Sequence, residues 1–104
     1  MTLLRGMDWM YDLYVKPTAD TIFKKLTKKN RQRLELIHKK IQEIRKNPKH
    51  NYKHLRKPLQ DFYGVHIDTS FVLIFTMDHT REVVEIYYFD HHDNVYDWRP
   101  SKKR

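Results

Sequence analysis

The hydrophobic period of this chain changes once, and that change limits the folds open to it. Leu34, Ile37, Ile41 and Ile44 recur at intervals of three and four, an apolar stripe on a helix whose other sides carry Lys and Arg. Asn47-Pro48 stops the helix, because the proline ring disfavours helical geometry in the residue before it. From Phe62 onward the period is two. Tyr63, Val65 and Ile67 share one face of a strand, and Gly64, His66 and Asp68 share the other. Helices and strands are therefore segregated along the chain rather than alternating, which excludes a parallel α/β sheet and points to an α+β domain.

The flanking segments complete the pattern. Tyr11 to Val15 alternates loosely and reads as an edge strand, which Pro17 ends. Thr18 is the expected N-cap of a first helix on which Ala19, Ile22, Phe23 and Leu26 recur at helical spacing. A tight link around Lys28 to Asn30 makes the two helices an antiparallel hairpin. Lys49 to Asp61 is a basic loop containing Pro58. Phe71 to Met77 is apolar on both faces and so central, Asp78 to Arg81 is a turn, and Glu82 to Phe89 is a third strand. Asp93 to Trp98 reads as a short helical turn. The expected order is an N-terminal strand, the helical hairpin, a three-stranded antiparallel meander and a short C-terminal turn. The helices should cover one sheet face, leaving the face with Gly64 and His66 free for a ligand. The chain, 1–104, is read as one domain, with 1–10 an N-terminal extension and 99–104 a basic tail.

Composition narrows the chemistry. There is no Cys, so disulfides and thiolate sites are excluded. The longest apolar run, Phe71 to Phe75, is far too short to span a membrane, and the first ten residues do not resemble a secretory signal, so the cytoplasm is the expected compartment. With only Gly6 and Gly64, no glycine-rich phosphate loop can be built. The net charge of +8, before histidine is counted, favours polyanions, because phosphate contacts release counterions.

Titratable side chains gather where the strands end. His66 lies on the face opposite Tyr63, Val65 and Ile67, with Gly64 two residues before it leaving room for an approach. His91 and His92 follow the last strand. Neighbours on a strand point oppositely, so only one should face the site of His66. His92 is the better candidate, since Tyr96 lies four residues on, one helical turn away. Imidazoles exchange protons near neutral pH, and cations beside them hold phosphate; together they cleave RNA without metal or cysteine. Lys53, His54, Arg56 and Lys57 lead into the strand of His66 and are candidate phosphate contacts. A metal site is not expected, since no HExxH is present, His50 and His54 lie in a loop, and Asp90-His91-His92-Asp93 would hold an ion only by accident. Of the aromatics Tyr87, Tyr88, Phe89, Tyr96 and Trp98, most are expected in the core, with Tyr96 open to a ligand.

Three segments carry a resemblance to the RelE/ParE toxin superfamily over roughly Tyr11 to Trp98. They are the basic helical hairpin ending at Pro48, the run His54-Leu55-Arg56 leading to Tyr63-Gly64-Val65-His66-Ile67 and Phe71 to Phe75, and the ending Asp90-His91-His92-Asp93-Asn94-Val95-Tyr96. The middle segment is similar to the YafQ-type branch, and the ending resembles the close of many RelE-like toxins. The resemblance implies a RelE-like fold and a type II toxin, a ribosome-dependent mRNA endoribonuclease that needs no metal or small-molecule cofactor. It implies a cognate antitoxin, the ribosome and mRNA as partners. Carried onto this chain, His92 becomes the leading acid or base, with His66 its partner and His54 a third. Tyr96 orients or stacks on a base, while Lys53, Arg56, Lys57 and His91 hold RNA. Two alternatives stand beside it: a ParE-like inhibitor that binds DNA gyrase without catalysis, and a degenerate RNA-binding member. One departure is the uncharged Val72, where RelE carries an arginine in the central strand.

Overall fold

A computed structural model describes residues 2–4 and 9–100, the first group as backbone only. The elements are β1 (Thr2–Leu4), β2 (Asp12–Val15), α1 (Pro17–Lys29), α2 (Arg31–Lys46), β3 (Tyr63–Ile67), β4 (Phe71–Asp78), β5 (Val83–His91) and a 3-10 turn over Val95–Asp97. The strands form one sheet in the order β1-β2-β5-β4-β3. All neighbours are antiparallel except β2 and β5, which run parallel from Asp12↔Val83 to Val15↔Ile86. The α+β class, the helical hairpin and the meander are as the sequence indicates.

Three local expectations are corrected. The N-terminal strand is not an edge, because β1 pairs along its outer side. Pro17 does not merely end that strand. It opens α1 after Lys16, which caps without a side-chain bond, so Thr18 lies inside the helix. Proline suits a first helical position, where its missing N–H costs nothing and its φ is already helical. The link between the helices shrinks to Asn30, whose side-chain oxygen accepts from the Arg33 backbone N–H at 3.0 Å and so caps α2.

The main core lies between the helices and the sheet. Ala19, Phe23, Leu34, Ile37, Ile41 and Ile44 pack onto Leu13, Val15, Ile67, Leu73, Phe75, Val84, Ile86 and Phe89. Arg45 is buried at its margin, with Nε donating to the Tyr11 carbonyl at 2.7 Å and a guanidinium nitrogen to Gln42 at 2.9 Å. Burial lowers its pKa, a shift that the Asp12 charge opposes.

The opposite face is not free, contrary to the sequence-based expectation. Leu59, Val72, Ile74 and Val95 form a second, smaller core there, with Leu55, Phe62, Tyr87, Tyr88, Tyr96 and Trp98 around it. A bulge helps to build it. Ile74 pairs with Tyr88 and the next residue, Phe75, with Ile86, so Tyr87 is an extra residue on β5. Both tyrosines thereby reach this cluster, although alternation would have sent them to opposite faces.

Candidate functional site: a histidine-rich cleft on the second face

The loop after α2 folds back along β3. Leu55 N–H donates to the Phe62 carbonyl at 2.9 Å and Gly64 N–H to the Lys53 carbonyl at 3.1 Å, a short ladder centred on His54↔Tyr63. The room left by Gly64 is used by the chain itself: a Cβ there would meet Leu55 Cδ2 at 2.6 Å and Val72 Cγ1 at 3.2 Å. Leu55 and Leu59 anchor the loop on the second core, and the polar residues between them are left at the rim.

Between this loop, β3 and the C-terminal turn lies a cleft of about 710 Å³. His54, His66, His92, Tyr96, Lys53 and Arg56 all line it. Lys57 and His91 do not. Lys57 is exposed on the same loop, while His91 pairs with Phe71 and sets its ring edge-on to that phenyl at 5.4 Å. Of the two adjacent histidines, one alone faces the cleft.

The lining residues are held by specific contacts. His92 N–H donates to the Ser70 carbonyl at 2.8 Å, which ties the end of β5 to the β3–β4 turn. Its Nδ1 lies 3.1 Å from an Asp93 carboxylate oxygen. A carboxylate there favours a proton on Nδ1 and leaves the Nε2 lone pair as the proton acceptor. His54 Nδ1 contacts the Gln60 carbonyl at 3.0 Å, and its ring lies 4.4 Å from that of Tyr63. The Tyr96 hydroxyl accepts from the Arg56 backbone N–H at 3.0 Å, and the Arg56 guanidinium covers one face of its ring at 4.4 Å. Tyr96 is therefore half-buried, with one ring face already occupied. Next to the cleft, Tyr88 donates to Asp90 at 2.9 Å. Burial, that hydrogen bond and the charges of Asp90 and Asp97 push its pKa up to about 12.

Sequence reasoning missed Lys40, His50, Asn51 and Tyr52 as lining residues. Lys40 comes from α2, paired with Glu43 at 2.9 Å, and helical periodicity gives no reason to separate it from the other lysines of that face. Tyr52 donates to the Asn47 carbonyl at 3.1 Å. Burial, reinforced by the Glu43 charge, raises its pKa, so it stays a neutral donor. Val72, the uncharged residue of the central strand, is buried beneath the cleft as part of the second core.

No family model matches the chain. Individual relatives do. A protein of Methanocaldococcus jannaschii described as "Putative toxin RelE4" is 51% identical over 87 residues, 84% of this chain and 92% of that one. The chain belongs to the RelE toxin superfamily. An uncharacterized protein of Methanosarcina mazei is 44% identical over 87 residues, covering 84% of this chain and all of that relative. The RelE-like fold is matched in a solved structure, the toxin–antitoxin complex RelBE2 of Mycobacterium tuberculosis. The TM-score is 0.67 over 83% of this chain and 95% of that one, at 20% identity. The chain is thus a RelE-like toxin. Among the described residues, no helix is long and apolar enough to cross a membrane.

Proposed function

We propose that this RelE-like toxin is an endoribonuclease that cleaves mRNA in the ribosomal A site, without a metal, and that a cognate antitoxin restrains it. The observation that carries the reading is the make-up of the cleft. Its lining includes four histidines (His50, His54, His66 and His92) and three cations (Lys40, Lys53 and Arg56), with no carboxylate among the residues described there. Such a lining attracts a phosphodiester and supplies groups that move protons near neutral pH.

In this mechanism His92 takes the proton of a ribose 2′-hydroxyl through Nε2, with Asp93 holding the ring. The 2′-oxygen attacks the adjacent phosphorus in line, the P–O5′ bond breaks, and His66 protonates the leaving 5′-oxygen. The products are a 2′,3′-cyclic phosphate and a 5′-hydroxyl. Lys40, Lys53 and Arg56 meet the charge that builds on the phosphate, and His54 is a third candidate acid or base. Tyr96 works as a pair with Arg56, presenting its uncovered ring face to a base. Lys57 and His91, outside the cleft lining, are assigned to flanking RNA. The antitoxin is expected to dock an amphipathic, acidic segment on the basic surface.

The test is expression in a translating extract with mRNA ends mapped by primer extension, beside His92→Ala. Ribosome-dependent breaks within codons, reduced about 100-fold or more in the variant, are the expected result. Equal cleavage by the variant would remove His92 from the mechanism. Arrested growth over intact mRNA would remove the nuclease reading altogether.

A further inference from the structure

Where β5 ends, three donor groups meet that the cleft reading uses only in part. His91, His92 and Asp93 each offer one ligand atom, and these atoms lie within 4.8 Å of one another. The Asp93 carboxylate is 3.4 Å from His91 Nδ1 through one oxygen and 3.1 Å from His92 Nδ1 through the other. Two donors bound to one ion at about 2.0–2.1 Å stand roughly 2.8–3.4 Å apart at octahedral and tetrahedral angles. The His–carboxylate spacings already match an edge of such a polyhedron.

The two imidazoles are already neighbours. Their rings stack at 4.5 Å with 29° between the planes. His91 is set against Phe71, which itself stacks on Phe89 at 5.3 Å and lies under the Arg33 guanidinium at 4.0 Å. His92 is fixed at its backbone by Ser70. One contact opposes the arrangement: Asp93 N–H donates to His91 Nδ1 at 3.1 Å and would have to give way. Stacked rings aim their in-plane lone pairs side by side, so the two imidazoles must turn relative to each other to share an ion; His92 and Asp93 are exposed and His91 half-buried, which leaves room for that turn.

We propose that His91, His92 and Asp93 form a binding site for a divalent transition metal, of the imidazole-preferring class that includes zinc and nickel. Two imidazoles and one carboxylate suit such ions and not magnesium or calcium, which demand more oxygen ligands. Three protein ligands leave at least one position open to water. The site shares His92 with the cleft. An ion on Nδ1 leaves the hydrogen on Nε2, so that nitrogen has no lone pair with which to take a proton. On the proposed function, on which this clause alone rests, metal binding and base catalysis by His92 exclude each other, and the ion is an inhibitor.

The experiment is calorimetric titration of the untagged full chain with zinc chloride and with nickel chloride, beside Asp93→Asn and His91→Ala. One equivalent is expected in the parent, weakened about tenfold or more in each variant, with no heat from magnesium. No binding, or binding equal in parent and both variants, overturns the site. Circular dichroism of the variants separates a lost ligand from a lost fold. A second reading is the ratio of RNA cleavage with and without zinc within each protein. A strong inhibition in the parent and a weak one in Asp93→Asn supports the shared role of His92; equal ratios overturn it. A chain that binds zinc at these residues and cuts no RNA keeps the site and sinks the nuclease, and one that cuts RNA and binds no zinc does the reverse.

Discussion

On the helix side of the sheet, Ile37, Ile44, Leu73, Phe75, Val84 and Ile86 are all inaccessible to water, and hydrocarbon meets hydrocarbon at the centre. On the cleft side, Leu59, Ile74 and Val95 are buried just as deeply, but their neighbours are Tyr87, Tyr88, Tyr96 and Trp98. The first core is closed by two helices. The second is closed by a loop and one 3-10 turn, whose polar residues make the rim of the cleft. The difference separates two tasks. The helix side buries the larger apolar cluster, and the second core holds the loop and turn that carry His54, Arg56, His92 and Tyr96.

That division can be broken or sharpened by four substitutions. Phe75→Ala empties the larger core and should cost about 3–5 kcal/mol in urea unfolding, with cleavage lost along with the fold. A cost near that of a surface change would mean the helix side does not dominate. Tyr96→Phe removes the acceptor of the Arg56 N–H and should cost about 1 kcal/mol, while cleavage falls by a larger factor than stability explains. Parallel losses in melting and activity would make Tyr96 a packing residue only. Gly64→Ala should cost about 1 kcal/mol, because the Leu55 tip can give while buried Val72 gives little, and should lower cleavage by shifting the loop. Unaltered cleavage would show that the loop position is not critical.

The last effect shows only at high pH. Tyr88 has its pKa raised to about 12 in the folded protein, above the ordinary value of 10.0. The folded state then holds its proton more tightly than the unfolded one, so stability is full below pH 10 and falls as pH rises toward 12. Tyr88→Phe should flatten that part of the urea midpoint against pH. An identical alkaline slope in the variant would show that burial of Tyr88 contributes nothing to it.

The sequence is most legible on the helix side and least on the cleft side, for a physical reason. Periodicity reports which residues of one element share a face. It therefore finds the stripe of Leu34, Ile37, Ile41 and Ile44, and the alternation from Tyr63 to Ile67. It says nothing of a loop that has no period, so the return of Leu55 and Leu59 onto the sheet was invisible, and Gly64 looked like space for a ligand. The bulge at Tyr87 hid the second core in the same way, by cancelling the alternation that would have assigned the two tyrosines. Three of the four cleft histidines, His54, His66 and His92, were found because they lie beside or on the strands; His50 was missed because it sits in a loop without period, and Lys40 because lysine on a basic helix is not rare.

The parallel pair of β2 with β5 joins Asp12 to Val83, near opposite ends of the chain. A sheet closed by so distant a pairing cannot assemble as the chain grows. β2 waits, unpaired on that side, until β5 has emerged, and the residues after it, His92 and Tyr96, emerge later still. The cleft therefore comes together only after the last strand, His92 and Tyr96 have all been made and the distant pairing has closed.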